Sequence, residues 1–144
     1  WEALQSLPRV DVRCDIHCVT RWSRLDNVFT GVPLRTIIVL WEPTPEAKYV
    51  IQHARGEPGD DWTTNVSLEE LTEPDCVLTW LHDGEPLSAD HGAPVRAVVP
   101  RLYFWKGAKW ISGLELVEQD RPGFWEINGY HMHGDPWREE RFGW

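Results

Sequence analysis

No stretch of this sequence stays apolar for the roughly 20 residues that a membrane-spanning helix needs. Basic residues are also scarce, since 14 lysines and arginines stand against 23 acidic residues, for a formal charge of −9. Such a chain lacks the broad basic face by which proteins bind nucleic acids. Cysteine is limited to three residues, an odd and sparse set that is unlike a disulfide framework. We therefore expect a reduced, cytoplasmic protein with neither a membrane span nor a nucleic-acid partner.

Large apolar side chains are plentiful by contrast. Of the 144 residues, 42% are hydrophobic and ten are tryptophan, which is enough to bury a core without disulfides. This length is typical of one domain, so we predict a single domain over residues 1–144. Short strand patterns outnumber helical ones and do not alternate strictly with them, which favours the α+β class, with mixed β-sheets and short helices.

Local patterns predict the elements along the chain. Val10, Val12 and Cys14 alternate with charged residues at the period of a half-buried strand, which leads into His17 and Cys18. Further strands are predicted over residues 47–54, 76–81, 94–99 and 110–117, with an Asp-Gly hairpin at 82–85. Helices are predicted over residues 1–7 and 34–41, after Ser67, and once beyond residue 120. A turn is predicted at residues 30–33 and a charged loop at residues 55–61.

The densest chemistry lies between Asp15 and Ser23. There the Cys18 thiol is flanked by the imidazole of His17 and, three residues on, by the guanidinium of Arg21. Nearby positive charge favours the thiolate, which binds metals and attacks electrophiles. The alternative is a buried cysteine that acts as a small apolar residue. Two downstream stretches favour the functional interpretation: His-Gly-x-Pro-x-Arg at residues 91–96 and Lys-Gly-x-Lys at residues 106–109.

In the order of these motifs the chain resembles the sulfite-oxidase-like family of molybdopterin-dependent oxidoreductases. Its C-terminal runs at residues 123–131 and 134–137 are similar to the small prokaryotic members, and the resemblance extends from about Leu4 to the end. It implies an α+β fold around a molybdopterin cofactor, with Cys18 as the molybdenum ligand. It also implies two-electron transfer of an oxygen atom to or from a small substrate such as sulfite or a sulfoxide. Since the sequence has no Cys-x-x-Cys-His for attaching heme, we expect a separate electron carrier, a cytochrome or heme protein by the resemblance.

The resemblance assigns the pterin contacts to a set of five residues, namely His91, Arg96, Gly107, Ala108 and Lys109. Chemistry points to Arg96, Lys106 and Lys109 for the cofactor's phosphate, because guanidinium and ammonium groups neutralise and bind phosphate. Glycines at 92 and 107 would let backbone amides approach a ligand closely. The alternative for the cations is solvated charge at strand ends.

Three more residues are assigned with alternatives open. His17 either donates to the cofactor or orients its loop, and the resemblance places His53 at a strand end near the pterin. Arg21 is predicted to hold an oxyanion substrate beside the metal. The alternative for Arg21 is a surface ion pair with Asp15 or Asp26.

Two departures from the family pattern support a second functional hypothesis. Trp62 stands where sulfite oxidases have an active-site tyrosine, and an indole has no ionisable hydroxyl. We also expect the family's pterin-contacting N-terminal segment to be absent. A non-catalytic molybdopterin-binding or interaction domain is therefore the alternative. A third hypothesis is a small zinc site drawn from two cysteines and three histidines, namely Cys14, Cys18, His17, His131 and His133.

Overall fold

The structure, a computed structural model, describes residues 1–56 and 61–143. Within these residues the chain forms eight strands and four short α-helices. The strands are β1 (Val10–His17), β2 (Ser23–Pro33), β3 (Tyr49–Arg55), β4 (Asp61–Ser67), β5 (Val77–His82), β6 (Glu85–Pro86), β7 (Arg96–Val98) and β8 (Ile111–Val117). The helices are α1 (Glu2–Gln5), α2 (Leu34–Leu40), α3 (Leu68–Leu71) and α4 (Phe124–Ile127).

The described strands build two antiparallel sheets. The first sheet has the order β1-β2-β5-β6, and β7 also pairs with β5. The second sheet has the order β4-β3-β8. Two sheets with a few short helices confirm the predicted α+β class.

The larger apolar core joins the two sheets. Leu78 and Ala97 of the first sheet belong to one buried cluster with Val50 and Val66 of the second, and Leu34 of α2 completes it. Burying an aliphatic side chain of this size stabilises a fold by roughly 1.5–3 kcal/mol. The two sheets are therefore held together by this core, which fixes the loops at their ends.

Several local predictions are confirmed. The strand β1 ends at His17 as predicted. Asp83 and Gly84 both have positive φ, at 51° and 82°, and form the tight turn between β5 and β6. The Ser67 hydroxyl accepts a hydrogen bond from the Glu70 amide and so caps α3.

The predicted turn at residues 30–33 is wrong, because this segment is the last part of β2. Gly31 pairs with Thr79 of β5 next to a register shift in the ladder. A Cβ atom added to Gly31 would lie 2.0 Å from the carbonyl oxygen of Leu78. The glycine therefore permits two strands to approach each other, and Pro33 ends β2 immediately before α2 instead of occupying the first helical position.

Of the predicted loop at 55–61, Arg55 ends β3 and Asp61 begins β4, while residues 57–60 lie outside the described residues. Across the ranges that the structure describes, no helix has both the length and the apolar character needed to cross a membrane.

Candidate functional site

A tight turn at the end of β1 presents the Cys18 thiol. The Cys18 amide donates to the Trp22 carbonyl at 2.9 Å, and the Arg21 amide donates to the Cys18 carbonyl at 3.0 Å. Arg21 has a φ of 76°, in the left-handed region that non-glycine residues seldom adopt. The Cys18 sulfur lies 2.9 Å from the Thr20 hydroxyl. The closed turn thus fixes the direction of a partly buried thiol.

The other two cysteines have a different environment. Burial, with a smaller contribution from Asp75, raises the pKa of Cys14 to about 11 and that of Cys76 to about 12. Cys76 is fully buried in the larger core. Cys18 alone among the three thiols lines the two cavities described next.

One cavity beside Cys18, hereafter the aromatic cavity, has a volume of about 560 Å³. Large aromatic side chains line it, namely Trp22, Trp62, Phe104, Trp105, Trp110, Trp125 and Tyr130. Several of these rings pack on one another: Trp62 and Trp125 are stacked at 5.6 Å between centroids, and Trp125 and Tyr130 at 5.2 Å. The indole N–H of Trp105 is buried and has no acceptor among the residues that the structure describes. The cavity is therefore shaped for a flat ligand and carries one unused donor.

Three basic residues line the same cavity, namely His91, Arg96 and Lys109, together with the acidic Asp90. Arg96 is only 3% exposed, and its guanidinium donates to the carbonyls of Ala97, His91 and Gly107 at 3.0–3.2 Å. Burial lowers the pKa of Arg96 to about 9, so the group is still charged at neutral pH. These bonds use three of its five N–H donors, which leaves two for a ligand.

Lys109 lies beside this guanidinium. Its ammonium donates to the Asp90 carbonyl at 3.0 Å and sits 4.5 Å above the ring of Trp110. Burial, followed by the charge of Arg96, lowers the pKa of Lys109. Two neighbouring cations with spare donors are suited to an anionic group such as phosphate.

The two glycines of the motifs serve the protein's own packing. A Cβ atom at Gly107 would lie 2.3 Å from the Ala97 carbonyl oxygen, and one at Gly92 would lie 3.0 Å from the Cβ of Arg96. Gly92 also has a φ of 112°. The Ala108 amide donates to the buried Gln52 side chain at 2.8 Å. The described contacts thus use these positions to hold the Arg96 and Lys109 backbones close together.

Lys106 differs from Lys109, although the two are three residues apart. Its side chain is fully buried, and its ammonium donates to the Asn65 side chain at 2.9 Å, to Glu126 at 3.1 Å and to the Met132 carbonyl at 2.8 Å. Burial lowers the pKa of Lys106, while the Glu126 carboxylate opposes that shift. All three N–H donors are used, and Lys106 does not line the aromatic cavity. This geometry indicates a structural ion pair where a phosphate contact was predicted.

His53 also lies away from the aromatic cavity. Its Nε2 is 2.9 Å from a Glu115 carboxylate oxygen, across the β3–β8 pair of strands, and the His53 side chain is 42% exposed. Nothing in this environment distinguishes it from a surface histidine.

A second, polar cavity lies on the other side of Cys18 and has a volume of about 260 Å³. His17, Arg21, Tyr103, Glu139 and Arg141 line it together with Cys18. His17 contacts the Ser23 hydroxyl at 2.7 Å through Nδ1, which orients its ring across the β1–β2 ladder. Among the described residues Arg21 forms no ion pair, and Asp26 instead pairs with Arg13 at 2.5 Å. The structure thus places His17 and Arg21 together, but in the polar cavity.

The C-terminal segment closes the polar cavity. Arg141 donates to the Val19 carbonyl at 2.7 Å and to the Cys18 carbonyl at 3.4 Å, and its guanidinium lies 5.0 Å from the ring centre of Tyr103. Tyr103 and Arg141 were not predicted as site residues, and neither was Trp105. The motif run around Lys106 contained a signal for Tyr103 and Trp105, whereas Arg141 lies 123 residues after Cys18 and gave none.

The predicted zinc set does not assemble. Among the described residues, one group of metal-binding side chains converges, with ligand atoms within 4.8 Å, and it consists of His133, Asp135 and Glu140. No cysteine belongs to it. His133 already contacts Glu140 at 2.8 Å through Nδ1 and Glu70 at 2.5 Å through Nε2. This arrangement is an ionic tie between the C-terminal segment and α3.

A family model and several known proteins are similar to this chain. Residues 1–125 match the family model described as the oxidoreductase molybdopterin binding domain. An uncharacterized oxidoreductase, YuiH, of Bacillus subtilis is 48% identical over the whole chain, which spans 71% of that relative. A putative protein-methionine-sulfoxide reductase subunit, YedZ1, of Azospira oryzae is 31% identical over 92% of the chain, which spans 49% of it. The catalytic subunit MsrP of a protein-methionine-sulfoxide reductase of Burkholderia mallei is 31% identical over 83% of the chain, which spans 39% of it.

A solved structure shows the same fold. The crystal structure of the sulfane dehydrogenase SoxCD from Paracoccus pantotrophus superimposes with a TM-score of 0.70, at 21% identity. The match covers 82% of the chain and 34% of that protein. At this identity the likeness concerns the fold alone.

Proposed function

The chain belongs to the oxidoreductase molybdopterin-binding domain family, and from that premise we propose that it transfers an oxygen atom to or from a small sulfur compound, such as sulfite or a sulfoxide. Molybdopterin is the cofactor of the family. The observation that carries the proposal is the position of Cys18, whose partly buried thiol lines both an aromatic cavity and a polar cavity. One cavity would hold the cofactor and the other the substrate.

The aromatic cavity fits molybdopterin in four respects. Stacked rings form its walls, which suits a flat pterin. The unpaired Trp105 indole N–H offers a donor to a heteroatom of the ligand. Arg96 and Lys109 have spare donors and positive charge for the phosphate. A soft thiolate at Cys18 suits a metal that sulfur already binds.

When bound, the cofactor supplies the two-electron redox chemistry. The chain's own residues bind and orient. Thr20 contacts the Cys18 sulfur and the turn holds its direction, so the ligand atom is fixed before the metal arrives. Arg21 would attract the oxygen of a substrate into the polar cavity, because a guanidinium there is unpaired among the described residues.

Between the two named substrates, Trp62 favours the sulfoxide. Trp62 lines the aromatic cavity. It stands where, by the resemblance, sulfite oxidases have an active-site tyrosine, and an indole offers no hydroxyl. The two relatives at 31% identity carry names that refer to protein-methionine-sulfoxide reductase. Both are named as subunits, which supports our expectation of a separate electron carrier.

The proposal is tested by turnover of dimethyl sulfoxide with a reduced viologen dye, and by oxidation of sulfite with ferricyanide. Cys18→Ser is expected to lose turnover while keeping the fold, because serine is a poor ligand for a sulfur-bound metal. Cys14→Ser is the matched control, since Cys14 lies on β1, four residues before Cys18, and lines neither cavity. Wild-type rates in Cys18→Ser would contradict the proposal. A wild-type protein that contains molybdopterin but turns over neither substrate would instead support the alternative, a non-catalytic molybdopterin-binding or interaction domain.

A further inference from the structure

The hydroxyl of Tyr103 has no role in the function proposed above. Tyr103 is 1% exposed, and its hydroxyl is buried without any hydrogen-bond partner among the described residues. An unpaired buried hydroxyl destabilises a fold, so such groups usually have a partner. The described part of the chain does not supply that partner.

The surroundings of the phenol place its hydroxyl at the polar cavity. Tyr103 lines this cavity together with Arg21, Glu139 and Arg141. Burial has the largest effect and raises the pKa of Tyr103; the positive charge of Arg141 opposes this shift, and the negative charge of Glu139 adds to it. With a raised pKa the hydroxyl stays protonated at neutral pH and remains a donor.

The cavity also has the right neighbours for a polar ligand. Cys18 lines it, so a ligand there would lie beside the thiol. Arg141 is held by the Val19 and Cys18 carbonyls, whereas Arg21 makes no ion pair among the described residues. One fixed guanidinium, one unpaired guanidinium and one unused hydroxyl thus surround a space of about 260 Å³.

We propose that the Tyr103 hydroxyl binds the substrate by donating a hydrogen bond to the oxygen of a sulfur–oxygen bond. The inference rests on the function proposed above and adds a substrate-binding residue to it. A neutral sulfoxide oxygen would be bound by Tyr103 alone, while an anionic sulfur oxide would also draw on the charge of Arg21. Tyr103 would thereby provide, from the polar side of Cys18, a hydroxyl that Trp62 cannot provide from the aromatic side.

The test measures binding by calorimetry on the purified protein, with dimethyl sulfoxide as the neutral probe and sulfate as the anionic one. Tyr103→Phe is expected to weaken dimethyl sulfoxide about tenfold and sulfate by up to about a hundredfold, as for loss of one hydrogen bond to a neutral or a charged acceptor. Tyr49→Phe is the matched control, since Tyr49 lies on β3 and lines neither cavity. Arg21→Gln is expected to weaken sulfate only.

A melting curve separates this role from a structural one. Tyr103→Phe removes an unpaired hydroxyl, so its Tm is expected to equal or exceed the wild-type value. A lower Tm together with wild-type affinity for both probes would overturn the inference, as would a wild-type protein that binds neither probe. The probe that binds more tightly shows whether the bound oxygen belongs to a neutral sulfoxide or to an anionic sulfur oxide. Because binding needs no turnover, a protein without oxidoreductase activity but with Tyr103-dependent binding would contradict the proposed function alone.

Discussion

Replacing Lys106 by methionine separates a structural lysine from a cofactor-binding one. The Lys106 and Glu126 side chains are both fully buried, and the ammonium makes three hydrogen bonds. Removing one partner of a buried ion pair costs about 3–5 kcal/mol, because the remaining charge is left unpaired. At about 2–4 °C per kcal/mol for a domain of this size, the Tm is expected to fall by about 6–20 °C.

The assay is a thermal melt of the purified protein, read beside its molybdopterin content. Lys109→Met is the matched control: it is expected to change the Tm by only about 2 °C, as a partly exposed residue does, but to lower the cofactor content. Lys106→Met combined with Glu126→Gln is expected to recover part of the lost stability. A Lys106→Met protein with the wild-type Tm and no cofactor would refute the structural role and restore the predicted phosphate contact.

Three other predictions concern single residues. Iodoacetamide at pH 8 is expected to modify Cys18 in cofactor-free protein but not Cys14 or Cys76. The pKa values of those two thiols, about 11 and about 12, leave a thiolate fraction near 0.1% or less. Bound cofactor is expected to protect Cys18. The pKa of His133 is raised, because its hydrogen bonds to the Glu70 and Glu140 carboxylates outweigh the opposing effect of burial. The stability that His133 contributes is therefore full below about pH 6.5 and is lost as the pH rises through its pKa in the folded protein. His133→Gln is expected to flatten that part of a profile of Tm against pH. Gly31→Ala is expected to lower the unfolding free energy by about 3 kcal/mol in a urea titration, because the added methyl overlaps a backbone oxygen, while Gly113→Ala, whose Cβ meets nothing within 4 Å, is not.

Elements set by local chemistry were predictable from the sequence. The alternation of Val10 and Val12 places β1, and the Asp-Gly pair at Asp83 places the hairpin. Gly31 was misread because glycine and proline near each other usually mark a turn. Here the requirement came from β5, whose Thr79 pairs with Gly31 from 48 positions away along the chain. No local pattern can show such a partner.

The candidate site was predictable only in part, for a similar reason. The order of the motifs pointed to Cys18, His91, Arg96 and Lys109, and the structure gathers these four around one cavity. The same motif could not distinguish Lys106 from Lys109, because residue spacing does not say which side chain turns toward a buried carboxylate.

Residues brought in by distant parts of the chain remained invisible. Arg141 contacts Val19 from 122 positions away, and the pairing depends on how the C-terminal segment folds back. The importance of Tyr103 depends on a missing partner for its hydroxyl, which only a three-dimensional arrangement can reveal.

The central claim is that Cys18 ligates molybdenum in the cofactor, and X-ray absorption at the molybdenum edge tests it most directly. The protein should be purified from a host that makes molybdopterin, with Cys18→Ser and Cys14→Ser alongside. We expect the wild type and Cys14→Ser to contain molybdenum with the same sulfur coordination, and Cys18→Ser to show one sulfur ligand fewer or no metal. Unchanged sulfur coordination in Cys18→Ser, or a wild type that contains no molybdenum, would contradict the account.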